Sequence, residues 1–224
     1  VDLPKFTRLP KHIGVIPDGN RRWAQQRGMP KEAGYAYGIP PGIELCQLCL
    51  ELGIEEVTLY GFTEDNTKRP PEQRAAFQKA CVDSVMEAMD KDTALLVVGD
   101  DTSPMFPPEL KRFRTRQVFG EGRLKVNFLV NYDWHWDLSQ ALKDDSRSGE
   151  RSRKLFKECI GSCDVSRIDL MVRWGGRRRL SGFLPVQTVY SDIYVLDDLW
   201  PDFTPEQFFE ALRWYEQQDV TLGG

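Results

Sequence analysis

The sequence predicts one α/β domain built on a mostly parallel central sheet of about six strands flanked by helices. Three observations carry that prediction. Short apolar, β-branched runs alternate with helix-length stretches, the order that parallel βαβ units produce. Several of the runs are apolar nearly throughout, as strands covered on both faces are. The 224 residues, 41% hydrophobic, suffice for one full core. They leave too little sequence after the most linker-like stretch, residues 144–149, for a second. Residues 1–224 are therefore read as a single domain, with 144–149 as a surface loop.

In chain order, the first strand is expected at residues 12–17, where His-Ile-Gly-Val-Ile-Pro runs up to Asp18. A short helix near 22–26 follows, and an apolar helical run covers 42–52. The second strand is read at 56–62 and a long helix at 71–89, with Pro71 suited to a first turn. Strands at 94–99 and 124–131 bracket a short helix at 108–113. Helices at 137–143 and 150–160 precede strands at 168–173 and 193–196. Thr204-Pro205-Glu206 is a helix start, an N-cap Thr before a first-turn Pro, and opens a final helix to 217.

A net charge of −4 argues against a nucleic-acid binder. The arginines are unevenly spread: Arg21 and Arg22, a group between 112 and 116, and a group between 173 and 179. Local basic clusters in an acidic chain suit small anions. Five cysteines and no secretory apolar stretch lead to the expectation of reduced thiols and a cytoplasmic location. No apolar run approaches the roughly 18 residues of a membrane span. Cys46 and Cys49 lie two apart in an apolar helical run without a second ligand pair, so they read as core residues before they read as zinc ligands.

Four constellations carry chemistry. In the first, a strand ends in Asp18, a glycine turn follows at Gly19-Asn20, and Arg21, Arg22 and Trp23 open a helix. A lone carboxylate suits Mg²⁺, which keeps most of its ligands from water and phosphate, and the backbone N–H groups of the turn suit phosphate oxygens. The plainer reading is a β-to-α turn with an Asp cap. In the second, Thr63, Asn66, Thr67 and Arg69 follow a strand and can orient a diphosphate, or simply form a polar loop. The third is Arg173-Trp174-Gly175-Gly176-Arg177-Arg178-Arg179-Leu180-Ser181; guanidinium groups match phosphate bidentately, while surface ion pairing is the plainer account. In the fourth, Asp192 is a possible second carboxylate for the metal, though by itself it reads as any strand-edge Asp.

In this order the four blocks resemble the cis-prenyltransferase family, which includes undecaprenyl diphosphate synthases. The family's first signature is matched by Asp18, Gly19, Asn20, Arg22 and Trp23, and its arginine–glycine block by Arg173, Gly175, Gly176, Arg179 and Ser181. Gln187, Tyr190 and the stretch 199–203 also fit. The resemblance implies a homodimer, Mg²⁺ and allylic diphosphate substrates. It implies catalytic roles for Asp18, Asn20, Thr63 and Asn66. It implies a substrate surface of Gly19, Asn20, Arg21, Arg22, Trp23, Lys31, Tyr35, Thr67, Arg69, Arg173, Trp174, Arg179 and Ser181. Asp18 and Asp192 would hold the metal.

The chain also departs from the family pattern. Thr67 stands where a tryptophan is usual, Tyr35 for a histidine, Lys31 for an arginine, Trp174 for a threonine and Arg177 for a glutamate. Asp133-Trp134-His135 replaces a Gly-Gly-Arg stretch, and the arginines usual near the C-terminal Gly-Gly are absent from 220–222. Diphosphate and metal groups are kept while the surroundings of the reacting carbons change. Trp134 and Trp174 are expected to fill space, and Phe77, Met86 and Met89 lie on the helix that the resemblance implies lines the product tunnel, so a shorter cavity and a small product are expected. The variant this most resembles is the cyclolavandulyl diphosphate synthases, which join two dimethylallyl diphosphates head-to-middle and close a ring. The alternatives are an isosesquilavandulyl-type synthase, a conventional short-chain Z-prenyl synthase using isopentenyl diphosphate, and a non-enzymatic partner subunit.

Overall fold

The computed structural model describes residues 3–143 and 153–219. The expected loop at 144–149, the start of the helix expected at 150–160 and residues 220–222 lie outside or partly outside the described residues. Seven strands form one sheet: β1 His12–Ile16, β2 Glu56–Tyr60, β3 Thr93–Val98, β4 Gln117–Val118, β5 Leu124–Leu129, β6 Leu170–Arg173 and β7 Asp192–Val195. Their spatial order is β4-β3-β5-β2-β1-β6-β7, and every pairing is parallel except β3 with β4. The sequence expectation of about six strands omits β4, whose two residues are too few to show a period.

Seven helices complete the described fold: α1 Asn20–Gln26, α2 Gly34–Tyr37, α3 Ile39–Leu52, α4 Pro71–Ala88, α5 Trp134–Lys143, α6 Arg153–Cys159 and α7 Pro205–Glu216. The segment Pro108–Arg114 is 3₁₀ rather than α. Helix α3 begins three residues earlier than expected, because Pro40 and Pro41 sit in its first turn, where no N–H is needed. It stops at Gly53, whose φ of 76° ends the helix in a left-handed turn. Helix α5 also starts early, since the Asp133 carboxylate accepts the Trp136 backbone N–H at 3.1 Å and caps it. Helix α7 has the expected cap: Thr204 and Gln207 exchange side-chain-to-backbone hydrogen bonds.

Burial follows from this order. All residues of β1, β2, β3 and β6 are buried, as strands with both faces covered must be. One face packs on α3, α4 and α7 through Leu45, Cys49, Val85, Phe208 and Leu212. The other is covered by Val165, Ile168, Phe183, Leu184 and Tyr132. Cys46 and Cys49 are both buried, consistent with core residues. The chain leaves β1 toward β2 on one side, while β6 joins β1 from the other. That reversal opens a crevice beyond the carboxyl ends of β1 and β6, the place where open parallel sheets take ligands.

Candidate active site

The crevice holds two joined chambers. The outer chamber is polar, of about 360 Å³, and is lined by Asp18, Gly19, Asn20, Arg21, Arg22, Lys31, Tyr35, Arg69, Arg177 and Arg179 among others. The inner one is apolar, of about 70 Å³, between α3 and α4. Pro17, Asn20, Tyr35 and Phe77 line both and form the ring between them.

Asp18 stands on the floor of the outer chamber. Its Oδ2 accepts from Arg173 Nη2 at 2.8 Å, and its Oδ1 lies 3.4 Å from Arg22 Nη2. Arg173 is buried, with its side chain 5% exposed, while that of Asp18 is 33% exposed. The other Arg173 terminal nitrogen donates to Ser181 Oγ at 2.9 Å and to the Arg179 carbonyl. Ser181 reaches that position with a φ of 54°, a strained value for a non-glycine residue. Gly175 must be glycine: its φ is 85°, and a Cβ there would lie 2.5 Å from Arg22 Nη2. In its place the Gly175 carbonyl accepts from Arg22 at 2.8 Å. The first and third sequence blocks thus form one interlocked floor.

Tyr35 and Arg69 form the opposite wall. Arg69 Nη1 donates to the Tyr35 hydroxyl at 2.6 Å. The Tyr35 ring stacks on Phe77, with centroids 4.4 Å apart and planes within 2°. Burial pushes the Tyr35 phenol up, against the pull of Arg69 and Arg21. Burial likewise draws Arg69 below the usual guanidinium range. Both groups keep their ordinary charge states near neutrality, so the wall presents a phenol and a cation. The inner chamber continues with Ile39, Gly42 and Ile43 from α3, and Ala80, Cys81 and Ser84 from α4. Burial raises the Cys81 thiol to about 12, which keeps it protonated and a poor nucleophile.

Several expected site residues lie elsewhere. Trp174 is fully buried against Trp200 and Phe203, its indole donating to Gln207 at 3.1 Å. Just past the end of β6, it packs into the core on the α7 side of the sheet and lines neither chamber. Trp23, on the buried face of α1, donates to Asp202 at 2.7 Å and lines neither chamber. Thr63 and Asn66 hold each other across a 3₁₀ turn, Thr63 N–H to Asn66 Oδ1 at 3.0 Å, and Thr67 accepts from Arg74. The three shape the loop that delivers Arg69 and line neither chamber. Met86 and Met89 turn toward Arg112, away from the inner chamber, which α4 lines with Phe77, Ala80, Cys81 and Ser84. Trp134 is 39% exposed and packs over Gly182.

Asp192 is the largest correction. Arg173 pairs with Ile16 on one side and Val195 on the other. Asp18 lies two residues beyond Ile16, and Asp192 three residues before Val195. The five-residue offset is roughly 16 Å along the strands. The two carboxylates stand at opposite ends of the sheet and cannot share an ion within one chain. The sequence showed the Asp but not that β7 begins at it.

Trp200 was visible only as part of a matching stretch. Its backbone N–H donates to the Asp18 carbonyl at 3.0 Å, its indole to the Gly38 carbonyl at 2.8 Å, and its ring lines the inner chamber. The chamber's other lining residues follow a signal that was available. Positions 39, 42 and 43 on α3, and 77, 80, 81 and 84 on α4, recur at the spacing of one helix face.

A cationic chamber opening on an apolar pocket defines a site for an amphiphile with an anionic head and a hydrocarbon tail. The comparisons agree on its class. The family model described as putative undecaprenyl diphosphate synthase matches residues 16–223. An isoprenyl transferase of Nitrosomonas europaea is 30% identical, across 99% of this chain and 88% of that protein. A ditrans,polycis-undecaprenyl-diphosphate synthase ((2E,6E)-farnesyl-diphosphate specific) of Pseudomonas syringae is 31% identical, across 96% and 91%. A crystal structure of lavandulyl diphosphate synthase from Lavandula x intermedia, in complex with dimethylallyl diphosphate, has the same fold. Its TM-score is 0.84 at 21% identity, over 96% of this chain and 99% of that one. The chain belongs to the undecaprenyl diphosphate synthase family of cis-prenyltransferases and is a prenyltransferase.

Proposed function

We propose that this prenyltransferase couples two small allylic diphosphates, two dimethylallyl diphosphates, head-to-middle, and closes the product to a cyclolavandulyl-type ring. The observation that carries the reading is the size of the inner chamber. At about 70 Å³ it is smaller than the roughly 150 Å³ apolar cavity that takes a benzene ring. Such a space leaves no room for a growing polyprenyl chain and favours the shortest tails. The structural neighbour crystallised with dimethylallyl diphosphate supports the same substrate size.

In this reading Arg21, Arg22, Arg69 and Lys31 receive one diphosphate, and Arg173, Arg179 and Ser181 orient the second. Family members depend on Mg²⁺ in general. The donor set fits that ion: Asp18 offers a partly exposed carboxylate beside the arginines, and no described group of three or more acidic, His or Cys side chains forms an all-protein cage. Asp18 would hold Mg²⁺ with diphosphate oxygens, and the bound ion supplies charge neutralisation to the departing diphosphate. The arginines fix the head, and the Tyr35–Phe77 pair and Trp200 keep water from the carbon that becomes cationic. Attack then comes from carbon two of the second substrate.

A homodimer belongs to this proposal. Val189, Tyr190 and Ile193, on and beside the edge strand β7, are 66%, 54% and 46% exposed and would be covered in one. The decisive experiment is incubation with dimethylallyl diphosphate alone and Mg²⁺, followed by mass spectrometry of the dephosphorylated product. A ten-carbon branched or cyclic alcohol is expected. Linear Z-prenyl chains formed only when isopentenyl diphosphate is added would establish an ordinary chain elongator instead.

A further inference from the structure

Tyr60 is the last residue of β2. It borders the inner chamber, yet its ring packs with the residues that cover the opposite face of the sheet, among them Tyr132 and Phe183. Phe183 meets that ring edge-on, with centroids 5.0 Å apart and planes at 88°, and Tyr132 does so at 6.3 Å and 73°. Two such contacts fix the plane of the ring and the direction of its phenol. The phenol donates to the Ser181 carbonyl at 2.7 Å. Burial pushes the Tyr60 phenol up, so it remains a donor near neutrality. Phe183 lies two residues beyond Ser181, so Tyr60 grips the same turn twice, once by its ring and once by its hydroxyl.

That turn is strained. Ser181 and Leu184 have φ of 54° and 36°, left-handed values that a non-glycine residue keeps only where its neighbours hold it there. Among the described residues Ser181 is held at two points: its carbonyl by Tyr60, and its Oγ by Arg173, which donates at 2.9 Å. Because Oγ accepts from Arg173, its own proton is left to donate to an anion. Arg173 in turn donates to Asp18 at 2.8 Å. One line of hydrogen bonds therefore runs from the end of β2 through Ser181 to the ends of β6 and β1. Tyr60 is the end of that line behind the site, and it does not line the outer chamber.

Resting on the reading in which Arg173, Arg179 and Ser181 orient the second diphosphate, we propose that Tyr60 is a positioning residue for that diphosphate. It acts through Ser181. The phenol locks the carbonyl, the locked backbone keeps φ positive, and the Ser181 hydroxyl is held between Arg173 and the bound anion. Without the lock the turn relaxes toward an ordinary negative φ and carries Oγ away from Arg173. The first diphosphate, on Arg21, Arg22, Arg69 and Lys31, does not depend on this turn.

The test titrates the full chain, in the presence of Mg²⁺, with dimethylallyl S-thiolodiphosphate, an allylic analogue that ionises too slowly to react. Calorimetry is expected to resolve two molecules bound per chain of the wild type. Tyr60→Phe keeps the ring and removes the hydroxyl. It should weaken one binding event by about fivefold, the fold-change of roughly 1 kcal/mol, and leave the other unchanged. The weakened event should be the one that Ser181→Gly also weakens, since that variant lacks Oγ but takes the left-handed φ without strain. In the Ser181→Gly background, adding Tyr60→Phe should change neither event. This comparison decides the matter even if Tyr60→Phe alone does not fold, because the glycine relieves the turn. Equal weakening of both events by Tyr60→Phe, no weakening of either, or a further loss in the Ser181→Gly background would overturn the positioning role and leave the two-site reading standing. Fewer than two molecules bound by the wild type would overturn the two-site reading, and the role of Tyr60 with it.

Discussion

Replacing Asp18 by alanine tests the floor of the site in two ways at once. The carboxylate makes a 2.8 Å charge-assisted bond to a guanidinium that is only 5% exposed, so its loss strands a buried cation. Such a bond contributes about 1.5–3 kcal/mol. Because the Asp18 side chain is 33% exposed, solvent screening reduces the expected cost to roughly 1–2 kcal/mol. At about 2–4 °C per kcal/mol for a domain of this size, the melting temperature should fall by roughly 2–8 °C, leaving a folded protein. Turnover should fall much further, about 100-fold or more, because the same carboxylate is the proposed anchor for Mg²⁺. Differential scanning calorimetry of Asp18→Ala, Arg173→Met and the double variant gives the coupling energy directly, with turnover measured over a Mg²⁺ titration. Strictly additive single effects, within about 0.5 kcal/mol, would show that the ion pair contributes nothing. Near-normal turnover at saturating Mg²⁺ would refute the metal assignment.

Three further outcomes are expected. Cys81→Leu should fill the inner chamber and abolish coupled product, at a packing cost of about 1–3 kcal/mol, while inhibition by inorganic diphosphate stays unchanged; an unaltered product yield would show that the tail lies elsewhere. Trp174→Ala should cost about 3–5 kcal/mol as a core truncation yet preserve the product pattern of the folded fraction, read by gas chromatography, whereas a new product would return Trp174 to the site. Stability should also fall on acidification below about pH 6.5, the ordinary imidazole value. Burial holds His12 below that value in the fold, so the unfolded chain takes up the proton first and is favoured as pH drops. Urea midpoints across this range should decline less for His12→Gln than for the wild type, and parallel declines would remove His12 as the cause.

The parts of the fold that could be read from sequence were those with a local signature. β1 and β3 are apolar nearly along their length, and Thr204-Pro205 marks a helix start whatever the tertiary setting. β4 and α2 escaped because two residues and four residues carry no period; β4 is held by β3, and α2 by α1, α3 and α4. In the site, the arginines and Asp18 were legible because charge at the end of an apolar strand is conspicuous. Trp174 and Asp192 were misplaced for a shared reason. Which face or end of a sheet a residue occupies depends on strand boundaries, and those are set by neighbours far away in the chain. The inner chamber was only half legible: its residues share one face of each helix, but a lining of Ile, Gly, Ala and Cys looks like core until the two helices are seen to stand apart.

Trp200 also governs when the site can come into being. Its backbone and indole N–H groups hold Asp18 and Gly38, residues that leave the ribosome 182 and 162 positions earlier. At synthesis rates of about 5–20 residues per second, the first motif waits roughly 10–40 s for the segment that fixes it. Throughout that interval the nascent chain carries Asp18, Arg21 and Arg22 without the floor that positions them. Competence for substrate therefore arises as a late, all-at-once event of biosynthesis, and fragments ending before residue 200 should retain no diphosphate affinity.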